Sequence, residues 1–286
     1  MKNSSAGAMP IYIVKASGER ELWDAQKLER SLRAAKASND VVQEIVRHIE
    51  KDLRDGLRTN EIYAHAFSFL KRYDRPSAAQ YSLRRAIAQL GPSGFPFERF
   101  VAKILNARGY HTKVGQIVRG FCIAHEVDVT AEKNDERILV EAKFHNSPEI
   151  RSDVKVALYV SARFADIEKR LAEEEPGERF THAWLITNTH FTSQAIQYGS
   201  CSGLSLTGWN YPKGNTLQDI VQETQTHPIT CLTTLTPAHK SQLLNEGVVL
   251  CQDILKDPAP LARIGINKTR IASVLKEGEQ VCPVTL

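Results

Sequence analysis

Three residues could perform hydrolytic chemistry if a fold brings them together: Asp128, Glu141 and Lys143. They lie in two runs, Glu126-Val127-Asp128-Val129-Thr130 and Ile138-Leu139-Val140-Glu141-Ala142-Lys143. Apolar and polar residues alternate in both, the two-residue period of strands with one polar face. Asn134-Asp135 between them suits a tight hairpin connection. A turn centred there puts Asp128 across from Glu141, with Lys143 two residues further along the same face. Cross-strand Cβ atoms lie about 5 Å apart, so two facing carboxylates repel. A divalent cation reverses the sign of that interaction. Mg²⁺ takes one or two protein carboxylates together with water and substrate phosphate. A neighbouring lysine can orient or help deprotonate the attacking water and stabilise charge on a phosphorane. The plain alternative is a solvent-facing hairpin of ordinary charges; the apolar run into Glu141 favours the chemical reading.

The elements around this hairpin follow from periodicity. Gly91-Pro92-Ser93-Gly94-Phe95-Pro96 reads as a linker. Phe97 to Ala107 places Phe97, Phe100, Val101, Ile104 and Leu105 on one helical side, and Gly109 ends it. Strands are expected at 111–119, 126–131 and 137–144, a helix at 152–172, a strand at 182–187, a helix after Phe191 and a strand near 204–208. This αβββαβαβ order implies one sheet with helices against it.

Asp128 followed by Glu141-Ala142-Lys143 resembles the PD-(D/E)XK nuclease superfamily, specifically its Mrr-like restriction endonuclease domain. The similarity covers about 95–212 and includes Phe97-Glu98-Arg99-Phe100, Arg108-Gly109-Tyr110, Thr187-Asn188 and Phe191-Thr192. It implies an αβββαβ fold, Mg²⁺-dependent phosphodiester hydrolysis with Asp128 and Glu141 as metal ligands, and DNA as substrate. Glu98 matches a first-helix acid that adds a ligand in some members; a surface or capping glutamate is the equal alternative. Many members have glycines before the aspartate, where this chain has His125-Glu126-Val127. Strand alternation puts Glu126 on Asp128's face, and His125 is read as a satisfied structural histidine. Lys155, Tyr159 and Arg163 form one helical stripe that could track a DNA backbone or be a solvated face. His145 and Asn146 are weaker candidates for DNA contact.

Upstream, Ile11–Val14 reads as a strand, Ala16-Ser17-Gly18 as a turn and Arg20–Trp23 as the return strand. Four helices are expected to follow, begun at Asp24, at Ser38-Asn39-Asp40, at Thr59 and at Ser77, the last reaching Gly91. Val14-Lys15-x-x-Gly18-x-Arg20-Glu21-x-Trp23-Asp24-x-x-Lys27-Leu28, Thr59-Asn60-Glu61-Ile62 and Tyr81-x-x-x-Arg85 resemble the ATP-cone, over about 10–92. The resemblance implies ATP or dATP as an effector. Gly18 shapes the hairpin, Lys15, Arg20 and Lys27 would neutralise phosphates, and Glu21 and Thr59 match base- or sugar-contacting positions. Ala16 stands where many members carry a second basic residue. No Gly-x-x-x-x-Gly-Lys-Ser/Thr occurs, which argues against nucleotide as fuel.

The chain has 286 residues, a net charge of +4 and a hydrophobic content of 42%, an ordinary globular balance that permits a phosphate-binding face. Domains are expected at 10–92, 93–215 and 216–286, an α/β multi-domain fold whose last part is a small helical region. Residues 230–282 loosely resemble helix-hairpin or SAM-like modules. Five cysteines, with no Cys-x-x-Cys pair, read as scattered reduced core thiols. No signal peptide or spanning segment is evident, so a cytoplasmic location is expected. The leading expectation is a nucleotide-responsive Mg²⁺-dependent DNA endonuclease, in restriction or defence. A nucleotide-controlled DNA-binding regulator without cleavage is the alternative, and a homo-oligomer is left open.

Overall fold

The protein is described by a computed structural model, covering residues 10–15, 18–174, 177 and 179–282. Ala16 and Ser17 of the expected turn lie outside the described residues. The chain divides after Ser82 into two units.

In the first unit, β1 (Tyr12–Val14) and β2 (Arg20–Leu22) pair antiparallel and are followed by α1 (Ala25–Ala34), α2 (Asn39–Lys51), α3 (Thr59–Tyr73) and α4 (Arg75–Tyr81). Asp24 and Ser38 are the expected N-caps, accepting from Gln26 N and Val41 N. Two helix starts differ from expectation. Thr59 is the first helical residue and Arg58 is the cap position, closed by Glu61 accepting from Arg58 N at 2.9 Å. Asp74 opens α4 three residues before Ser77, accepting from that serine's N at 3.2 Å and Oγ at 2.7 Å. Asp and Ser are comparable caps, and a proline is tolerated in the first turn. Leu32, Val42, Ile45, Ile49, Ala66 and Leu70 form the core.

The second unit opens with α5 (Leu83–Ala88), so the helix expected to run unbroken to Gly91 is interrupted at Ser82. Within α5 the Ala86 carbonyl accepts from the buried Thr230 hydroxyl at 2.7 Å. Next come α6 (Phe95–Ala107), β3 (His111–Arg119), β4 (Ala124–Lys133) and β5 (Glu136–Lys143). They are followed by β6 (Arg151–Ser152), α7 (Val154–Glu174), β7 (His182–Thr187), β8 (His190–Phe191), α8 (Ser193–Ser202) and β9 (Ser205–Thr207). The main sheet has the order β3-β4-β5-β7-β9, antiparallel through β5 and parallel beyond it. This is the expected αβββαβαβ arrangement. The small parallel pair β6–β8 was not foreseen, because two-residue strands leave no periodic signal. The 91–96 stretch is a packed corner: a Cβ on Gly91 would stand 2.5 Å from the Phe144 ring.

Helices α6 and α7 carry the apolar faces. Phe97, Phe100, Val101, Ile104 and Leu105 of α6 are buried, as the periodicity requires. On α7, Ile167 and Leu171 pack with Val127 of β4 and Leu139 of β5. No described helix is long and apolar enough to cross a membrane.

The remainder is helical: α9 (Leu217–Thr224), a 3-10 turn at Ile229–Cys231, α10 (Pro237–Asn245), α11 (Cys251–Lys256), α12 (Ala259–Arg263) and α13 (Lys268–Val281). The cysteines are not all core thiols. Cys231, Cys251 and Cys282 are buried in this tail, whereas Cys122 and Cys201 are exposed. Glu277, 2% exposed, anchors α13. Its two oxygens accept from the N–H and hydroxyl of Thr233 (2.8 and 2.7 Å) and of Thr234 (2.9 and 2.6 Å). Removing an acceptor so completely used strands buried donors. Glu277→Leu is expected to destabilise the second unit by about 3 kcal/mol in chemical denaturation.

Candidate active site

The hairpin register fulfils the sequence expectation, with one refinement. Lys133↔Glu136 flanks a two-residue turn in which Asn134 takes φ 52°, and pairing runs to Val129↔Val140. Continued by one step, that register would oppose Asp128 to Glu141, but the described ladder stops short of it. Asp128 is also absent from the β3–β4 pairs, where Gly115, the residue that would oppose it, has φ 63°. Left-handed backbone at Gly115 coincides with the gap in the pairing of β3 with β4. Asp128 uses the gap: its Oδ2 accepts from Ala142 N at 2.7 Å, one residue past Glu141.

The acids crowd one another. Burial first, then the negative charges of Glu141 and Glu98, push the Asp128 carboxyl up to about 7. The Ala142 N–H and Arg163 oppose that rise. Glu98, on the first turn of α6, is also raised, by burial first and then by Glu126 and Glu141. Four carboxylates, from α6, β4 and β5, therefore share one field. Glu141 is the one with a direct cationic partner: Arg163 Nη1 donates to its Oε2 at 2.5 Å, with both side chains mostly buried (12% and 15% exposed).

Lys143 lies two residues beyond Glu141 on β5, paired with Thr187 of β7. Its charge, after burial, holds the His145 imidazole below its ordinary range. His145 and Asn146 have structural partners. The His145 ring bonds Ser152 Oγ at 2.9 Å, Asn188 clasps the His145 backbone at 2.8 and 2.9 Å, and Asn146 Nδ2 reaches Pro92 O at 3.5 Å. His125 is satisfied by Asp166 at 2.8 Å, as expected. Of the α7 stripe, Lys155 and Tyr159 are exposed, whereas Arg163 turns into the acidic centre and lies over the Tyr159 ring at 4.6 Å. Sequence reasoning missed the Arg163–Glu141 pair. Its signal was the i, i+4 spacing of Tyr159 and Arg163, which served a DNA-facing reading equally well.

A metal ion fits this donor set. Among the described residues, no three His, Cys, Asp or Glu side chains converge as an all-protein metal cage. A Mg²⁺ site completed by water and phosphate does not require one; a pair of crowded carboxylates suffices. Asp128 and Glu141 supply that pair.

The candidate nucleotide residues of the first unit fall on two faces of the hairpin. Glu21 pairs with Ile13 and meets Lys15 at 2.6 Å and also Lys27. Arg20, paired with Val14, lies on the other face, where it bonds Asp55 at 2.6 Å and covers the Tyr12 ring. The expected trio of cations is thus split, because adjacent strand residues point oppositely. Gly18 closes the hairpin, its N–H donating to Lys15 O at 2.9 Å. Thr59 stands at the start of α3, directly after Arg58, which bridges Val14.

Comparison with known proteins gives three family matches. The ATP cone domain model matches residues 11–89, the Mrr catalytic model, described as restriction endonuclease, matches 91–210, and the model "AF1548-like, C-terminal" matches 227–282. An uncharacterized protein of Archaeoglobus fulgidus is 35% identical over 182 residues, 63% of this chain and 99% of that protein. The crystal structure of AF1548, a protein of unknown function, aligns with TM-score 0.55 at 34% identity, covering 66% of this chain and 98% of that one. The MspJI restriction endonuclease in complex with a 27-mer oligonucleotide aligns with TM-score 0.27 at 16% identity, over 65% of this chain and 40% of that one, a match too loose to build on.

The raised Asp128 carboxyl makes stability pH-dependent. Its folded pKa, about 7, lies above the ordinary 3.8, so the native state binds the extra proton between those values. Stability from this group is full below the ordinary value and is lost as pH rises through about 7. In EDTA, wild-type stability is expected to fall between about pH 4 and about pH 7. Asp128→Asn is expected to flatten that slope and to be more stable at the upper end, by about 2 kcal/mol, measured by urea denaturation.

Proposed function

We propose, from the premise that this chain belongs to the family of the Archaeoglobus fulgidus protein and joins an ATP-cone to an Mrr-type restriction endonuclease domain, that it is a nucleotide-responsive, Mg²⁺-dependent DNA endonuclease. The observation that carries the reading is the crowding of Asp128, Glu141 and Glu98, with Lys143 next along β5. Such crowding costs stability unless a cation relieves it.

In this reading Asp128 and Glu141 hold the ion and Glu98 assists. Bound there, Mg²⁺ would polarise the scissile phosphoryl group and lower the pKa of a water. Lys143 orients that water and stabilises charge as the phosphorane forms. Lys155 and Tyr159, exposed on α7, contact the DNA backbone. ATP or dATP binds the first unit as effector. Lys15 and Lys27 would exchange Glu21 for phosphate oxygens, a charge-for-charge swap, while Gly18, Arg20 and Thr59 frame the hairpin and the α3 start. We place this chemistry in the cytoplasm, acting in restriction or defence.

The test is plasmid cleavage with Mg²⁺ or EDTA, in the presence and absence of ATP and dATP. Asp128→Ala and Lys143→Ala are expected to lose about a thousandfold in cleavage rate while DNA binding in Ca²⁺ persists. In calorimetry the double change Lys15→Ala, Lys27→Ala is expected to weaken ATP binding by about tenfold or more. Unaltered cleavage by Asp128→Ala would remove that residue from the mechanism. DNA binding without cleavage by the wild type would favour a nucleotide-controlled regulator.

A further inference from the structure

Glu141 faces two claimants in this account: a divalent cation and the guanidinium already at 2.5 Å. We propose that Arg163 is a built-in competitor of the metal ion, neutralising Glu141 until a divalent cation displaces it. The inference rests on the nuclease reading, and adds to it a residue that sets how tightly metal is held.

Four features support displacement over permanent support. First, the contact is to Glu141 itself, within a half-buried centre where a guanidinium and a divalent ion close to one carboxylate repel strongly. Second, the docked guanidinium is imperfectly satisfied: Arg163 Nε is buried without a hydrogen-bond partner. That unused donor lowers the gain from staying. Third, the docked guanidinium already has a second partner that it can keep on leaving Glu141. Tyr159, one turn earlier on α7 and 58% exposed, presents its ring 4.6 Å from the guanidinium carbon. A flexible arginine side chain can withdraw toward solvent over that ring and retain a cation–π contact. Fourth, one arginine does not balance the centre. Asp128, held by Ala142 N beside Glu141, has no ion-pair partner of its own among the described residues, while Arg163 serves Glu141. A doubly charged ion bridging Asp128 and Glu141 relieves more repulsion than a single charge held by Glu141 alone.

The experiment is calorimetric titration of the full chain with Mn²⁺ and with Mg²⁺ in the absence of DNA, paired with thermal melts in EDTA and in Mn²⁺. Arg163→Ala is expected to bind Mn²⁺ about tenfold more tightly than wild type, the effect of one partly screened charge. It is also expected to melt lower than wild type in EDTA, with the gap closing when Mn²⁺ is added. Should Arg163→Ala fail to fold, Arg163→Gln, which keeps length and removes charge, gives the same readout. Equal or weaker Mn²⁺ binding by the variant would overturn the proposal and leave the nuclease reading in place. If neither wild type nor variant binds either ion, and Glu141→Gln behaves identically, the metal-centre reading fails and the competitor role falls with it.

Discussion

Repulsion among carboxylates brought to one side of a sheet is the constraint on which the site depends. A hairpin with a two-residue turn fixes the register, and interruption of both ladders at Asp128 lets its carboxylate reach the Ala142 N–H. Helix α6 then adds Glu98 and the following strand residue adds Lys143. Burial alone already disfavours the charged form of Asp128, and the neighbouring acids add to it. Together they hold a proton on Asp128 to about pH 7 and draw in Arg163. On the proposed reading such a cluster is a cation site, because a positive charge would relieve the repulsion.

Much of this was legible in the sequence because the strands are strongly periodic. The alternation around Val127–Thr130 and Val140–Lys143, with Asn134-Asp135 as punctuation, specified the register, and β3 and β7 fall at their expected positions. What stayed hidden depends on contacts distant in sequence. The Arg163–Glu141 pair needs α7 laid across the sheet. Asn188 was noticed only as part of a motif, but its work is to clasp the His145 backbone. Positive φ at Gly115, which coincides with the gap in the ladder at Asp128, leaves no trace in a pattern of alternating residues.

The first unit shows the same logic at smaller scale. A motif match gathers Lys15, Arg20 and Lys27 into one list, but strand geometry sends Arg20 to the opposite face, toward Asp55. Glu21, joined to both Lys15 and Lys27, occupies the place that phosphate oxygens would take. In both units an internal counter-ion thus sits on the groups proposed to bind ligand. Ligand binding then becomes an exchange of partners in which little charge is left uncompensated at any stage.

Diffraction from crystals grown with Mn²⁺ and a DNA duplex tests the central claim most directly, through the anomalous signal of the ion. A Mn²⁺ peak held by Asp128 and Glu141 is expected, with Lys143 nearby and Arg163 withdrawn from Glu141. A Mn²⁺ ion bound elsewhere, with Asp128 still protonated against Ala142 and Glu141 still held by Arg163, would contradict it.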